Sequence, residues 1–137
     1  MRRDFKDRSS MSQFLEFPVK NQKDWEQFKE ERLDPDHPGR LEGDWRQPCT
    51  EYVANDWPIQ LGYYPDVGIY GCVRWLLGDE ESLVAFHTMP DLVQDIMEHM
   101  TSLYLTVFAA VVREVRVDVI HIFEDICGRQ GPAALMF

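Results

Sequence analysis

The sequence predicts an α/β fold, and three observations predict it. From Asp91 to Val115, apolar residues recur at i, i+3 and i+4 through Leu92, Val93, Ile96, Met97, Met100, Leu103, Tyr104, Val107, Phe108, Val111, Val112 and Val115. That period belongs to a helix and cannot arise in a strand. Directly after it comes Val117 to Phe123 (Val-Asp-Val-Ile-His-Ile-Phe), apolar and β-branched enough to read as a strand buried on both faces. Upstream, Pro58-Ile-Gln-Leu-Gly62 is a short apolar run closed by glycine, which reads as a second buried strand feeding a loop. Strand, helices, strand is a βαβ unit, so 58–62 and 117–123 should lie parallel in one sheet, joined by a helical crossover.

The remaining elements follow in chain order. Gln13 to Lys20 reads as a short strand through Phe14, Leu15, Phe17 and Val19, and Pro18 confines it to a sheet edge. Asn21 is an N-cap, with Asp24 three residues on in a capping-box-like arrangement. The helix it opens, about 22–33, has Asp24 and Glu26 in its first turn and Lys29 and Arg32 near its end, which complements the helix dipole. Its apolar stripe, Trp25 and Phe28, is narrow and predicts a surface position. Asp34-Pro-Asp-His-Pro-Gly39 is turn-rich and divides the chain. A weaker helix is expected over 42–56, anchored by Trp45, Tyr52 and Val53 and limited at its start by Pro48. The segment 67–88 should hold two short helices broken at Gly78-Asp79. The first carries Ile69, Val73, Leu76 and Leu77, the second Leu83, Val84 and Phe86. Pro90 suits the first turn of the long helix, where its missing N–H costs nothing.

Composition narrows the function. The chain has 137 residues with 14 basic and 24 acidic side chains, a net charge of −10. Residues 51–137 contain no lysine. Such a balance opposes phosphate-backbone binding, so no nucleic-acid partner is expected. Cys49, Cys72 and Cys127 are scattered without a CxxC pair, which excludes a disulfide scaffold and fits reduced thiols in the cytoplasm. No run approaches a membrane span, and no apolar stretch follows the basic start, so neither a membrane partner nor a secretory leader is expected.

Ligands of parallel α/β folds bind at the carboxyl ends of the strands. Two such ends are legible, Gly62-Tyr63-Tyr64-Pro65-Asp66 and Phe123-Glu124-Asp125. The candidate substrate-binding residues are therefore Glu124, Asp125, Tyr63 and Tyr64, with His121 on the same strand. A carboxylate facing a dry pocket could act as an acid or base, or hold a donor on a substrate. The competing reading is a solvated, helix-capping or loop-ordering pair. A lone strand histidine such as His121 is more often a satisfied core residue than a ligand or base. His87 with Cys72, or His121 with Cys127, lack any metal-ligand spacing, so no metal and no cofactor is expected.

These residues also carry a family resemblance. Phe17-Pro-Val-Lys-Asn-Gln-Lys-Asp-Trp-Glu-Gln-Phe-Lys-Glu-Glu-Arg-Leu-Asp-Pro35, Leu61-Gly62, Met89-Pro-Asp-Leu-Val93 and Val117-Asp-Val-Ile-His-Ile-Phe-Glu-Asp-Ile-Cys-Gly-Arg-Gln-Gly-Pro132 are similar, in order, to segments of the uroporphyrinogen decarboxylase-like superfamily, including its cobalamin-linked methyltransferase-type members. The resemblance implies a (β/α)8 barrel with its active site at the carboxyl mouth of the strands. Such a barrel needs about 250 residues, so the expectation is an incomplete barrel-like domain over 1–137, with 1–39 as an N-terminal strand and helix and 40–137 as a βαβ portion. Where the decarboxylases carry a serine after the strand-end acid, this chain has Asp125, which disfavours a polycarboxylate porphyrinogen. The arginine-rich, catalytic aspartate and terminal histidine motifs of that branch have no counterpart, nor has the His-x-Cys zinc motif of the methyltransferases.

The functional expectation is thus a portion of a uroporphyrinogen decarboxylase-like protein outside true heme-pathway decarboxylation, with a small-molecule or tetrapyrrole-related ligand. The alternative is an association module without activity of its own. An unpaired strand edge and a broad apolar helix face predict a homodimer under either reading.

Overall fold

The computed structural model describes residues 2–3, 13–14, 16–41, 43–62, 67–124, 127–128 and 131–132. Five α-helices account for most of them: α1 (Gln22–Arg32), α2 (Arg46–Ala54), α3 (Ile69–Leu77), α4 (Asp79–Thr88) and α5 (Pro90–Glu114). Strands are two residues each: β1 (Arg2–Arg3) against β2 (Gln13–Phe14), β3 (Gln60–Leu61) beside β4 (Val119–Ile120), and the hairpin β5 (Cys127–Gly128) with β6 (Gly131–Pro132).

The helices form where the local signals lie. Asn21 caps α1 by accepting from the Asp24 N–H at 3.1 Å, which satisfies one of the unpaired donors of the first turn. Gly78, with a φ of +100°, ends α3 and begins α4 in one residue. A side chain is rarely accommodated at that φ, so the two helices break where glycine stands. Pro90 opens α5, whose 25 residues span about 38 Å.

The core is helical. Trp25, Val73, Leu77, Ala85, Leu92, Val93, Ile96, Met100 and Leu103 are buried together where α1, α3, α4 and α5 meet. α1 lies on the surface as its narrow stripe predicts, with Trp25 as its one buried residue, the ring fully enclosed. Its indole Nε1 donates to Asp95 at 2.9 Å, and Lys29 reaches the same carboxylate at 3.1 Å. The narrow stripe is compensated by these polar ties to α5. In α4 the buried positions are Ser82 and Ala85, while Leu83 and Val84 are exposed. The small residues face the core here because α4 lies close against its neighbours. The strand expected over 13–20 is confined to Gln13–Phe14, and Val19 instead gives its N–H to the Leu76 carbonyl at 3.1 Å.

The predicted parallel pairing is present. Gln60 faces Val119 and Leu61 faces Ile120, with helices α3, α4 and α5 between the strands. The wider prediction, a barrel-like parallel sheet with flanking helices, is contradicted. Among the described residues the only parallel sheet has two strands, and the chain is mostly helical. The physical reason is visible at β4. Val119, Ile120 and Ile122 are 48, 52 and 59% exposed, so the apolar run read as buried on both faces is left about half open, with β3 its one strand neighbour among the described residues. Apolar composition reports a demand for burial; it does not supply the partner. β3 is short because Pro58 precedes it and Gly62, at φ +85°, turns the chain out of strand geometry.

Candidate functional site at the carboxyl end of the strand pair

The parallel register brings the ends of β3 and β4 to one place. Ile59 O accepts from Asp118 and Val119, and Leu61 O accepts from His121 at 2.8 Å. The chain then continues in contact beyond the ladder, because Phe123 gives its N–H to Val67 O at 2.6 Å. This last bond lays the end of the β4 segment across the start of α3.

Glu124 lies at that junction, and its carboxylate is committed to backbone. Oε1 accepts from the Ile69 and Tyr70 N–H groups, and Oε2 accepts from Gly71 at 3.0 Å. The sequence explains the need. The N-cap of α3 is Gly68, which has no side chain to satisfy the first-turn donors. A carboxylate distant in sequence takes that role, and the positive end of the helix dipole favours its charge. The helix-capping reading of Glu124 is therefore the one the geometry bears out. Gly68 is also required sterically, since a Cβ there would fall within contact radius of the Phe123 carbonyl oxygen.

One turn into α3, Cys72 Sγ lies 3.0 Å from the hydroxyl of Tyr104 on α5. A thiol in the first turns of a helix is often acidified. Here burial pushes the Cys72 thiol up, outweighing the Tyr104 hydrogen bond that lowers it, and the negative charge of Glu124 adds to the rise. Burial, the Cys72 contact and Glu124 likewise hold the Tyr104 phenol well above its usual range. Both groups stay neutral near pH 7. The pair can donate hydrogen bonds, but Cys72 is unsuited to act as a thiolate nucleophile.

His121 is partly buried, and among the described residues its Nδ1 is enclosed without a hydrogen-bond partner. Tyr63, Tyr64 and Asp125 lie outside the described residues, as does the expected proximity of Glu124 to the two tyrosines. Sequence reasoning weighed Cys72 only as a metal partner for His87 and set it aside, and it took Tyr104 as one more apolar position of the long helix. The available signal was Gly68-Ile-Tyr-Gly71 after a predicted strand end, since paired glycines at a helix start mark close backbone approach. Among the described residues no group of three or more His, Cys, Asp or Glu converges as a metal site. Shallow hollows of about 400 and 480 Å³ lie elsewhere, along Glu16–Asp24 and beside Gln22 and Thr88–Leu92, and neither is lined by Glu124. No described helix is long and apolar enough to cross a membrane.

Comparison with known proteins returned no match, whether to family models, curated proteins or solved structures.

Proposed function

We propose that this chain is a portion of a uroporphyrinogen decarboxylase-like protein outside true heme-pathway decarboxylation. It acts in the cytoplasm as a homo-oligomer and offers the carboxyl ends of β3 and β4 to a small-molecule or tetrapyrrole-related ligand. The observation that carries this reading is the meeting of two resembling segments. Leu61-Gly62 and Val117–Glu124 run side by side and end together at the start of α3. The proposal concerns kinship and site, and the closed barrel forms no part of it.

The same contact argues against a polycarboxylate substrate. The first-turn donors of α3 are the natural receptor for an anion at this strand end. Three of them are already taken by Glu124, so an incoming carboxylate would meet a like charge and no free N–H from Ile69, Tyr70 or Gly71. The test is a tetrapyrrole series graded by carboxylate number, followed by the amide resonances of Ile69–Gly71. Affinity should rise as carboxylates are removed, and uroporphyrinogen should be left unchanged. Tightest binding of the eight-carboxylate member, or release of carbon dioxide from it, would overturn this assignment.

A second reading, the association module without its own activity, is favoured by a separate observation. Val119, Ile120 and Ile122 are roughly half exposed, and Leu105 and Val112 on the later turns of α5 are exposed as well. Exposed apolar side chains mark an interface where they join into one contiguous patch. A chain that binds no tetrapyrrole but dimerises at micromolar concentration would fit this reading instead.

A further inference from the structure

Helix α2 differs from the other helices in having no share of the core. None of its nine residues is buried, and none stands among the half-buried apolar side chains that pack around the core. A helix this short is marginal in water unless something outside it holds it. What holds α2 is the joint between α5 and β4. At its start the Arg46 guanidinium forks onto Glu114, the last residue of α5, with Nη2 on Oε1 at 2.8 Å and Nε on Oε2. Beyond its end Arg116 donates to the Trp57 carbonyl at 3.3 Å.

The two charges of the fork are placed for each other. Arg46 is the first residue of α2, where the helix dipole disfavours a cation. Glu114 is the last of α5, where the dipole disfavours an anion. Each charge is therefore misplaced on its own helix and favourable to the end of the other, and the planar guanidinium meets the carboxylate through two parallel bonds. We infer that this pair is a latch, and that α2 is an order–disorder element whose folding is set by the latch and not by the core. The two side chains are 54 and 44% exposed, so dissolved salt reaches the latch and loosens it. Release frees Arg46–Ala54 while α1, α3, α4 and α5 keep their common core. The inference is independent of the ligand and oligomer readings above.

The test is amide hydrogen exchange on the intact chain at pH 7. Glu114→Gln should speed exchange of the 50–55 amides roughly two- to fivefold and leave the amides of 96–103 in α5 unchanged. About 1 M salt, where the screening length is about 3 Å, should do the same to the unaltered chain and add nothing in Glu114→Gln. Arg46→Glu separates a latched helix from one that stands by itself. It places the charge that the dipole favours at the start of α2, so a self-sufficient helix would gain protection. A latched helix should lose it, because the new carboxylate faces Glu114. Arg46→Glu combined with Glu114→Arg restores the pair with each charge now suited to its own helix, and protection should return at least to that of the unaltered chain. A gain of protection in Arg46→Glu alone, no recovery in the double reversal, or 50–55 amides that exchange as slowly as those of 96–103 in every variant and at every salt concentration would overturn the latch.

Discussion

The helical cluster and the β3–β4 pair are built from the same residue types and differ in what covers them. Val73 and Ile96 have no exposed surface, whereas Val119 and Ile120 leave about half of theirs in solvent. The difference lies in the number of neighbours that each element brings. Helices α3, α4 and α5 pack on one another through short connections at Gly78 and Met89. A strand needs lateral partners, and among the described residues β4 has one. Local connectivity suffices to close the first region, while the second stays half-built on its own. Stability therefore concentrates in the helices, and the capacity to interact concentrates at the strands.

Core truncations should show the widest gap between the two regions. Trp25→Ala should destabilise the chain by about 3–5 kcal/mol and Ile96→Ala by about 2–5 kcal/mol, both in urea titrations. Ile120→Ala, measured on dilute protein, should cost less than about 1 kcal/mol because its side chain is already half solvated. Equal losses at Ile96 and Ile120 would erase the distinction drawn here.

Gly68→Ala sharpens the comparison at the seam between the regions. The new methyl group would collide with the Phe123 carbonyl, so α3 or the end of the β4 segment must move, at about 1–3 kcal/mol. Exchange of the His121 and Phe123 amides should accelerate before that of the α5 amides. Glu124→Ala acts at the same seam by removing the acceptor of three N–H groups, and a loss of about 2 kcal/mol is expected. If Glu124→Ala melted as the unaltered chain does, the capping role would be refuted.

The smallest effect belongs to the tie between α1 and α5. Burial alone would raise the Asp95 carboxyl, but hydrogen bonds from Lys29, Trp25 and Gln22, with the Lys29 charge, outweigh it and hold the group below its usual range. A depressed folded-state value means that this stabilisation is present above the unfolded carboxylate value, about 3.9, and is lost as pH falls through the lower folded-state value. The side chain is 35% exposed, so solvent screening leaves about 1 kcal/mol for Asp95→Asn at pH 7. In that variant the acid-side loss of stability below about pH 4 should shrink by the same amount.

Much of the local structure was legible in the sequence. The helix break at Gly78, the start of α5 at Pro90 and the Asn21 cap follow from conformational limits that act within a few residues. The parallel meeting of β3 and β4 was legible too, because a crossover of helices between two apolar runs leaves little choice. The destination of Glu124 was half legible. Its place at a strand end could be read, but a ligand and a helix N-terminus make the same demand on a carboxylate, for hydrogen-bond donors. Only the arrival of the bare Gly68 cap beside it decided between them.

Composition and periodicity determined which segments would seek burial and which would be helical, because propensity and amphipathic spacing are properties of neighbouring residues. The tertiary structure alone decided which of those segments found cover. Trp25, on a stripe too narrow to predict it, is enclosed because α5 offers Asp95 to its indole nitrogen. Ile122, in the most apolar run of the chain, stays open because burial depends on partners from distant sequence, and among the described residues none lies along the outer edge of β4.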